Sequence, residues 1–103
     1  MSRGPDAATL LRRALERHAD AAGCDVSVCV QESTRWASAT FAGARHTVAL
    51  TVPDDPTGGL WLKALAEADL PIRGHLVADV VTLSITRHDE ELVVALEALT
   101  VEV

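Results

Sequence analysis

Two stretches of the chain repeat their apolar residues with the period of a helix. The first stretch predicts a helix from about Pro5 to Ala22, whose buried stripe would contain Ala7, Leu11, Ala14, Leu15, His18 and Ala22. Gly23 follows as a natural helix stop. Asp55 and Pro56 predict the start of a second helix, since Asp is a common N-cap and Pro fits the first helical position. That helix would run to about Ala68.

Between the helices, apolar and polar residues alternate, which is typical of half-buried strands. One strand would carry Cys24, Val26, Val28 and Val30 on its inner side. A turn at Glu32-Ser33 would then place Val28 opposite Ala37, and a turn at Gly43-Ala44 would pair Phe41 with His46. Because both registers put the apolar residues on one face, we predict a three-stranded meander with Phe41 in the core.

The last quarter of the chain predicts a long hairpin with strands at about His75 to Arg87 and Leu92 to Val103. Pairing Arg87 with Leu92 sets its register and places Asp79 opposite Thr100. The apolar residues change sides halfway along both strands. A bulge, a strong twist or burial of the second face would each explain this change.

These elements predict a single domain spanning residues 1–103 with the order α-β-β-β-α-β-β. We expect a two-layer α+β fold in which two helices cover one face of an antiparallel five-stranded sheet. This order resembles that of the type III secretion chaperones, which are small, acidic and dimeric. The resemblance lies in element order, without a shared motif and without the helix that usually closes that family, so no residue roles are carried over.

The net charge of the chain limits the classes of partner that we expect it to bind. The formal net charge is −6 and the nine Lys and Arg residues form no extended basic patch, so we expect neither nucleic acid nor an anionic membrane as a partner. No apolar stretch approaches the length of a membrane span, and the amino terminus lacks the apolar segment of a signal peptide. We therefore expect a cytoplasmic protein.

The cysteines and histidines do not predict a metal or cofactor site. Cys24 and Cys29 would lie on opposite faces of one strand, roughly 16 Å apart at the usual rise per residue. A disulfide cannot span that distance. The histidines are scattered without ligand spacing, and Gly58-Gly59 lacks the pattern of a phosphate-binding loop, so we expect no metal and no cofactor.

The face of the sheet that the helices leave uncovered is the stronger candidate for function. Its residues would be small, uncharged and centred on Trp36, whereas an exposed sheet face is normally polar and charged. We predict a non-catalytic protein-binding or dimerisation module, most simply a homodimer, with another protein as the alternative partner. The predicted interface residues are Trp36, Cys29, Ser38, Ala49, Thr51, Leu99 and Val101.

The alternative hypothesis is a small enzyme. His75, Asp79 and Glu102, with Thr100, would share one face of the last hairpin, where a histidine and carboxylates could perform acid–base catalysis. However, His75 and Asp79 would be about 13 Å apart along their strand, too far to share a proton directly. The simpler interpretation is that these residues form the solvated end of a hairpin, and we favour it over the catalytic one.

Overall fold

A computed structural model describes residues 6–103, which form two helices and one sheet of four antiparallel strands. Along the chain the elements are α1 (Ala7–Ala21), β1 (Ser27–Ala37), β2 (Ala42–Pro53), α2 (Pro56–Leu65), β3 (His75–His88) and β4 (Glu91–Glu102). The strands lie in the order β1-β2-β4-β3, so β1 and β3 are the edges. The predicted α+β class and its antiparallel sheet are confirmed, but the predicted five strands are wrong.

Both helices begin at aspartate caps. Asp6 accepts a 2.9 Å hydrogen bond from the Thr9 amide, and Asp55 accepts one of 2.8 Å from the Gly58 amide. These bonds satisfy amides that the first helical turn leaves without partners. The predicted first helical residue, Pro5, lies outside the described residues. Helix α2 ends at Leu65, before the predicted Ala68.

The predicted three-stranded meander is wrong, and this error explains why five strands were predicted where the sheet has four. Strand β1 continues through the expected Glu32-Ser33 turn, where one extra residue forms a bulge between Val30 and Glu32. The bulge moves the inward positions from even to odd residue numbers, as the predicted turn would, so one long strand has the sequence pattern of two shorter ones. Val28 therefore pairs with Leu50 and not with Ala37.

The turn of this first hairpin lies between Ala37 and Ala42. The Ser38 hydroxyl accepts hydrogen bonds from the amides of Thr40 (3.4 Å) and Phe41 (3.1 Å), which stabilises the turn there. Strand β2 starts immediately afterwards and includes Gly43, the residue expected to form the turn. Phe41 consequently lies in the loop with 56% of its surface exposed, and its predicted burial is wrong.

The final hairpin follows the prediction at its turn and departs from it further away. Arg87 pairs with Leu92, as predicted. Two further bulges in β3, between Val77 and Asp79 and between Thr82 and Ser84, then shift the register. Of the three explanations for the change of apolar side, the structure therefore contains the bulge, and Asp79 lies opposite Leu99.

The core lies between the helices and the inner strands. Residues of β2 and β4 alternate between buried and partly exposed, and their buried side chains meet Leu11 and Leu15 of α1 and Trp61 and Leu65 of α2. The Trp61 Nε1 donates to His18 Nδ1 at 2.8 Å, which connects the helices. Strand β3 extends beyond this cover, and every residue from 81 to 88 is exposed.

Candidate functional site

The sheet face opposite the helices, here called the outer face, can be built rung by rung from the strand registers. Directly paired residues lie on the same face of the sheet. A rung is here the row of four directly paired residues that runs across the sheet, one each from β1, β2, β4 and β3. Two neighbouring rungs carry no charge: Ser27, Thr51, Val93 and Thr86, followed by Cys29, Ala49, Ala95 and Ser84. The last rung, at the other end of the face, consists of Trp36, Gly43, Val101 and Leu76.

The registers bring most of the predicted interface residues together on this face. They are Cys29, Trp36, Ala49, Thr51, Leu99 and Val101. Ser38 is separate, because its hydroxyl is used within the β1–β2 turn. Three more apolar side chains on the outer face, Leu76, Val81 and Val93, are exposed, and the sequence pattern did not assign them to the interface.

Trp36 has a structural role on this face. Its indole packs over Gly43, where a Cβ on residue 43 would lie 2.9 Å from Trp36 Cζ2 and would collide with the Thr100 carbonyl oxygen. Gly43 is therefore required for close packing within the sheet. Because glycine has no side chain, the Trp36 ring covers the backbone of the sheet at this position. The Trp36 Nε1 is buried without a hydrogen-bond partner among residues 6–103.

The outer face carries more charge than the sequence indicated. The bulge in β1 turns Glu32 onto this face, and the first bulge in β3 turns Asp79 onto it. Arg45 Nε and Glu97 Oε1 form an ion pair of 3.2 Å near its middle. The predicted uncharged surface is thus confined to the two rungs around Cys29 and Ala49, with the Trp36 rung beyond the charges.

A second candidate site lies on the helix side of the sheet, between the amino terminus of α1 and the ends of β1, β3 and β4. This space, here called the α1 cleft, has a volume of about 530 Å³. Polar side chains from all four strands and from the N-cap of α1 line the cleft: Asp6, Ser33, Arg35, His46, His75, Thr100 and Glu102. Small residues of α1 and β2 form the remaining wall.

His46 is the centre of the α1 cleft and is 1% exposed. Its Nδ1 lies 2.7 Å from Ser33 Oγ, and its Nε2 lies 2.9 Å from Thr100 Oγ1. The Thr100 hydroxyl also donates to the Ala44 carbonyl oxygen at 3.4 Å. Both ring nitrogens are therefore satisfied by hydroxyl groups, as a buried imidazole requires.

Burial lowers the pKa of His46, because the charged imidazolium would lose its hydration inside the protein. The nearby His75 lowers the pKa further, and the Asp6 carboxylate opposes the shift. The Asp6 pKa is itself lowered, chiefly by its hydrogen bond with the Thr9 amide. At neutral pH, His46 is consequently an uncharged imidazole.

The structure separates the predicted catalytic residues. His75 pairs with Glu102, and both line the α1 cleft, where Glu102 lies 3.5 Å from an Arg35 nitrogen. Asp79 lies on the outer face, because the bulge after Val77 reverses the side on which it emerges. The Asp79–Thr100 pairing that was meant to unite the cluster is replaced by a pairing of Val77 with Thr100.

The contact between Ser33 and His46 was not predicted from the sequence. Ser33 was expected in a turn, and His46 was expected beside Phe41, whereas the two residues are direct cross-strand neighbours. A usable indication was present in the sequence: His46 occupies an inward position in phase with Val48, Leu50 and Val52.

Neither a metal centre nor a membrane span is found among residues 6–103. No three His, Cys, Asp or Glu side chains in that range lie close enough together to hold an ion. In the same range, neither helix has both the length and the apolar character needed to cross a bilayer. Comparisons with protein-family models, curated proteins and solved structures found no match to this chain.

Proposed function

We propose that this protein is a binding module that self-associates through its outer face as a two-fold homodimer. The observation that carries the proposal is the pair of uncharged rungs around Cys29 and Ala49, which neither helix covers. Exposed Val93 lies in one of these rungs and Val81 in the next rung, whereas Leu76 lies beyond the charged residues. An uncovered sheet face without charge is uncommon on proteins that remain monomeric, because such faces are normally polar and charged.

Charge near the centre of the outer face supports a second copy as the partner. Arg45 and Glu97 lie on neighbouring strands, β2 and β4. A two-fold axis running along the strands would place β2 of one subunit over β4 of the other. Because such an axis places each rung over the same rung of the other subunit, Arg45 would lie one rung away from Glu97 of the partner subunit, and Glu97 one rung away from the partner's Arg45. Self-complementarity of this kind is what a two-fold interface requires.

The edges of the sheet are less suited to association. All three bulges lie in the edge strands, one in β1 and two in β3. A bulge interrupts the regular row of amides and carbonyls that another strand would need for pairing. Association through the face therefore fits the structure better than continuation of the sheet across β3.

The test compares the solution mass of the parent chain with that of Ala49→Glu. Ala49 lies in the middle of an uncharged rung and points away from the core, so the carboxylate should oppose dimerisation without unfolding the monomer. Leu60→Glu is the matched control, because Leu60 is an exposed apolar residue on α2, away from the outer face. We expect Ala49→Glu to sediment as a monomer and Leu60→Glu to retain the parent mass.

Three outcomes would contradict this proposal. If Ala49→Glu remains associated, the outer face is not the contact. If Leu83→Glu, at the β3 bulge, dissociates the protein while Ala49→Glu does not, the edge strand is the contact instead. If the parent chain is monomeric at every concentration but binds another protein through the surface around Ala49, the partner is that protein and not a second copy of the chain.

The enzyme hypothesis based on His75, Asp79 and Glu102 is not favoured by the geometry. Its three residues are divided between the α1 cleft and the outer face. Association through the outer face requires no chemistry from any of them.

A further inference from the structure

The hydrogen bonds around His46 admit one arrangement that activates Ser33. The Thr100 hydroxyl has one hydrogen, and its two neighbours are the Ala44 carbonyl oxygen at 3.4 Å and His46 Nε2 at 2.9 Å. When that hydrogen goes to the carbonyl oxygen, which can only accept, His46 Nε2 carries the imidazole proton. Nδ1 is then the acceptor at 2.7 Å from Ser33 Oγ, and the Ser33 hydroxyl donates to it.

The two members of this pair differ in access to solvent. His46 is buried and uncharged, which keeps the imidazole in the form that can accept a proton. Ser33 is exposed and lies at the wall of the α1 cleft. A hydroxyl that is bonded to a neutral base, while its oxygen remains reachable, has the arrangement of an activated nucleophile.

We propose that Ser33 is an acyl-accepting nucleophile, with His46 as its general base, and that the α1 cleft binds small carboxylic esters. This inference is independent of association through the outer face, because the cleft lies on the opposite side of the sheet. Thr100 is a positioning residue that holds the imidazole through Nε2.

The reaction balances without any cofactor. Ser33 Oγ forms a bond to the ester carbonyl carbon while its proton moves to His46 Nδ1. The bond from that carbon to the leaving oxygen then breaks, and His46 returns the proton to the departing alkoxide. Arg35 lies on the same side of β1 as Ser33 and lines the cleft, and its exposed guanidinium, 3.5 Å from the Glu102 carboxylate, is the group that would supply positive charge to the carbonyl oxygen.

The size and lining of the cleft limit the substrate. Its wall next to His46 consists of Ala7, Ala8, Gly43 and Ala44, whose small side chains leave room for a short acyl chain. The carboxylates of Asp6 and Glu102 also line the cleft and would repel an anionic ester. An uncharged ester with a short acyl group fits both features.

The test uses p-nitrophenyl acetate as the probe on the full chain and locates the acetyl group by peptide mass spectrometry. We expect acetylation at Ser33 that is lost in Ser33→Ala and retained in Ser84→Ala, the control with an exposed serine on β3. Locating the adduct separates this reaction from acetylation of the exposed Cys29. If Ser33 is not acetylated in the parent chain, the proposal is wrong.

A pH profile distinguishes a catalytic base from a structural hydrogen bond. The charged and titratable groups around His46 are Asp6 from α1, Arg35 from β1, His75 from β3 and Glu102 from β4. Acetylation should slow as His46 becomes protonated, with a midpoint below its ordinary pKa of 6.5. His46→Gln should slow acetylation by about 100-fold, the usual range for a lost general base.

Because His46→Gln removes a buried group, the tautomer of the parent protein provides a second test that needs no substitution. Nitrogen-15 NMR of the imidazole should show the proton on Nε2. A proton on Nδ1 would mean that Ser33 accepts the hydrogen bond and is not activated, which would overturn the proposal.

Discussion

At the scale of single residues, burial separates two large hydrophobic side chains that the sequence pattern treats alike. Leu50 is 1% exposed at the centre of β2, whereas Phe41 is largely exposed in the turn before it. We therefore predict that Leu50→Ala lowers the free energy of unfolding by about 2–5 kcal/mol. Phe41→Ala should change it by about 0.5 kcal/mol or less. Chemical denaturation of both variants checks this, and a large loss for Phe41→Ala would place its ring in the core.

The two cysteines provide a second prediction at this scale. Cys24 is buried, and burial is the main reason that its pKa is raised, with Asp55 and Asp25 adding to the shift. Cys29 is exposed on the outer face. Because the thiolate is the reactive form, a thiol reagent should modify Cys29 much faster than Cys24 in dilute native protein. Equal rates would show that Cys24 is as accessible as Cys29, and Cys24→Ser and Cys29→Ser variants assign each rate.

At the scale of elements, helix α2 contains a pair of adjacent glycines in different surroundings. A Cβ at Gly58 would collide with the Pro53 carbonyl oxygen, whereas one at Gly59 would meet nothing within 4 Å. Gly59→Ala should therefore stabilise the protein by about 0.5–1 kcal/mol, because alanine is the better helix former. Gly58→Ala should destabilise it. Thermal unfolding of the two variants measures both effects, and equal shifts would contradict the packing of α2 on β2.

The helices and the last hairpin could be predicted from local pattern, and the meander could not. Asp55 and Pro56 specify the start of α2, and a short polar turn specifies the pairing of Arg87 with Leu92. The bulge in β1 inserts one residue and so moves the inward positions from Val28 and Val30 to Ser33 and Arg35. From sequence alone, such a bulge is indistinguishable from a turn between two strands.

The accuracy of the predicted sites also depended on the bulges. Cys29 and Trp36 were assigned to the correct face, whereas Asp79 was not, because it lies between the two bulges of β3, each of which reverses the side of the residues beyond it. The Ser33–His46 contact could not be found for a related reason. It needs the register of β1 on β2 beyond the bulge, and this register follows from where the Ser38 turn forms.

At the scale of the whole molecule, the helices cover one side of the sheet and leave the outer face and the far half of β3 exposed. The bulges protect the edges from pairing with another strand, but the uncharged rungs of the outer face have no such protection. We therefore expect the protein to self-associate through the outer face.

Sedimentation equilibrium of the unmodified chain measures this self-association. One chain has a mass of 10.9 kDa, and the proposed dimer predicts twice this mass at micromolar concentration, falling to the mass of one chain on dilution. A mass of 10.9 kDa at every concentration would contradict self-association.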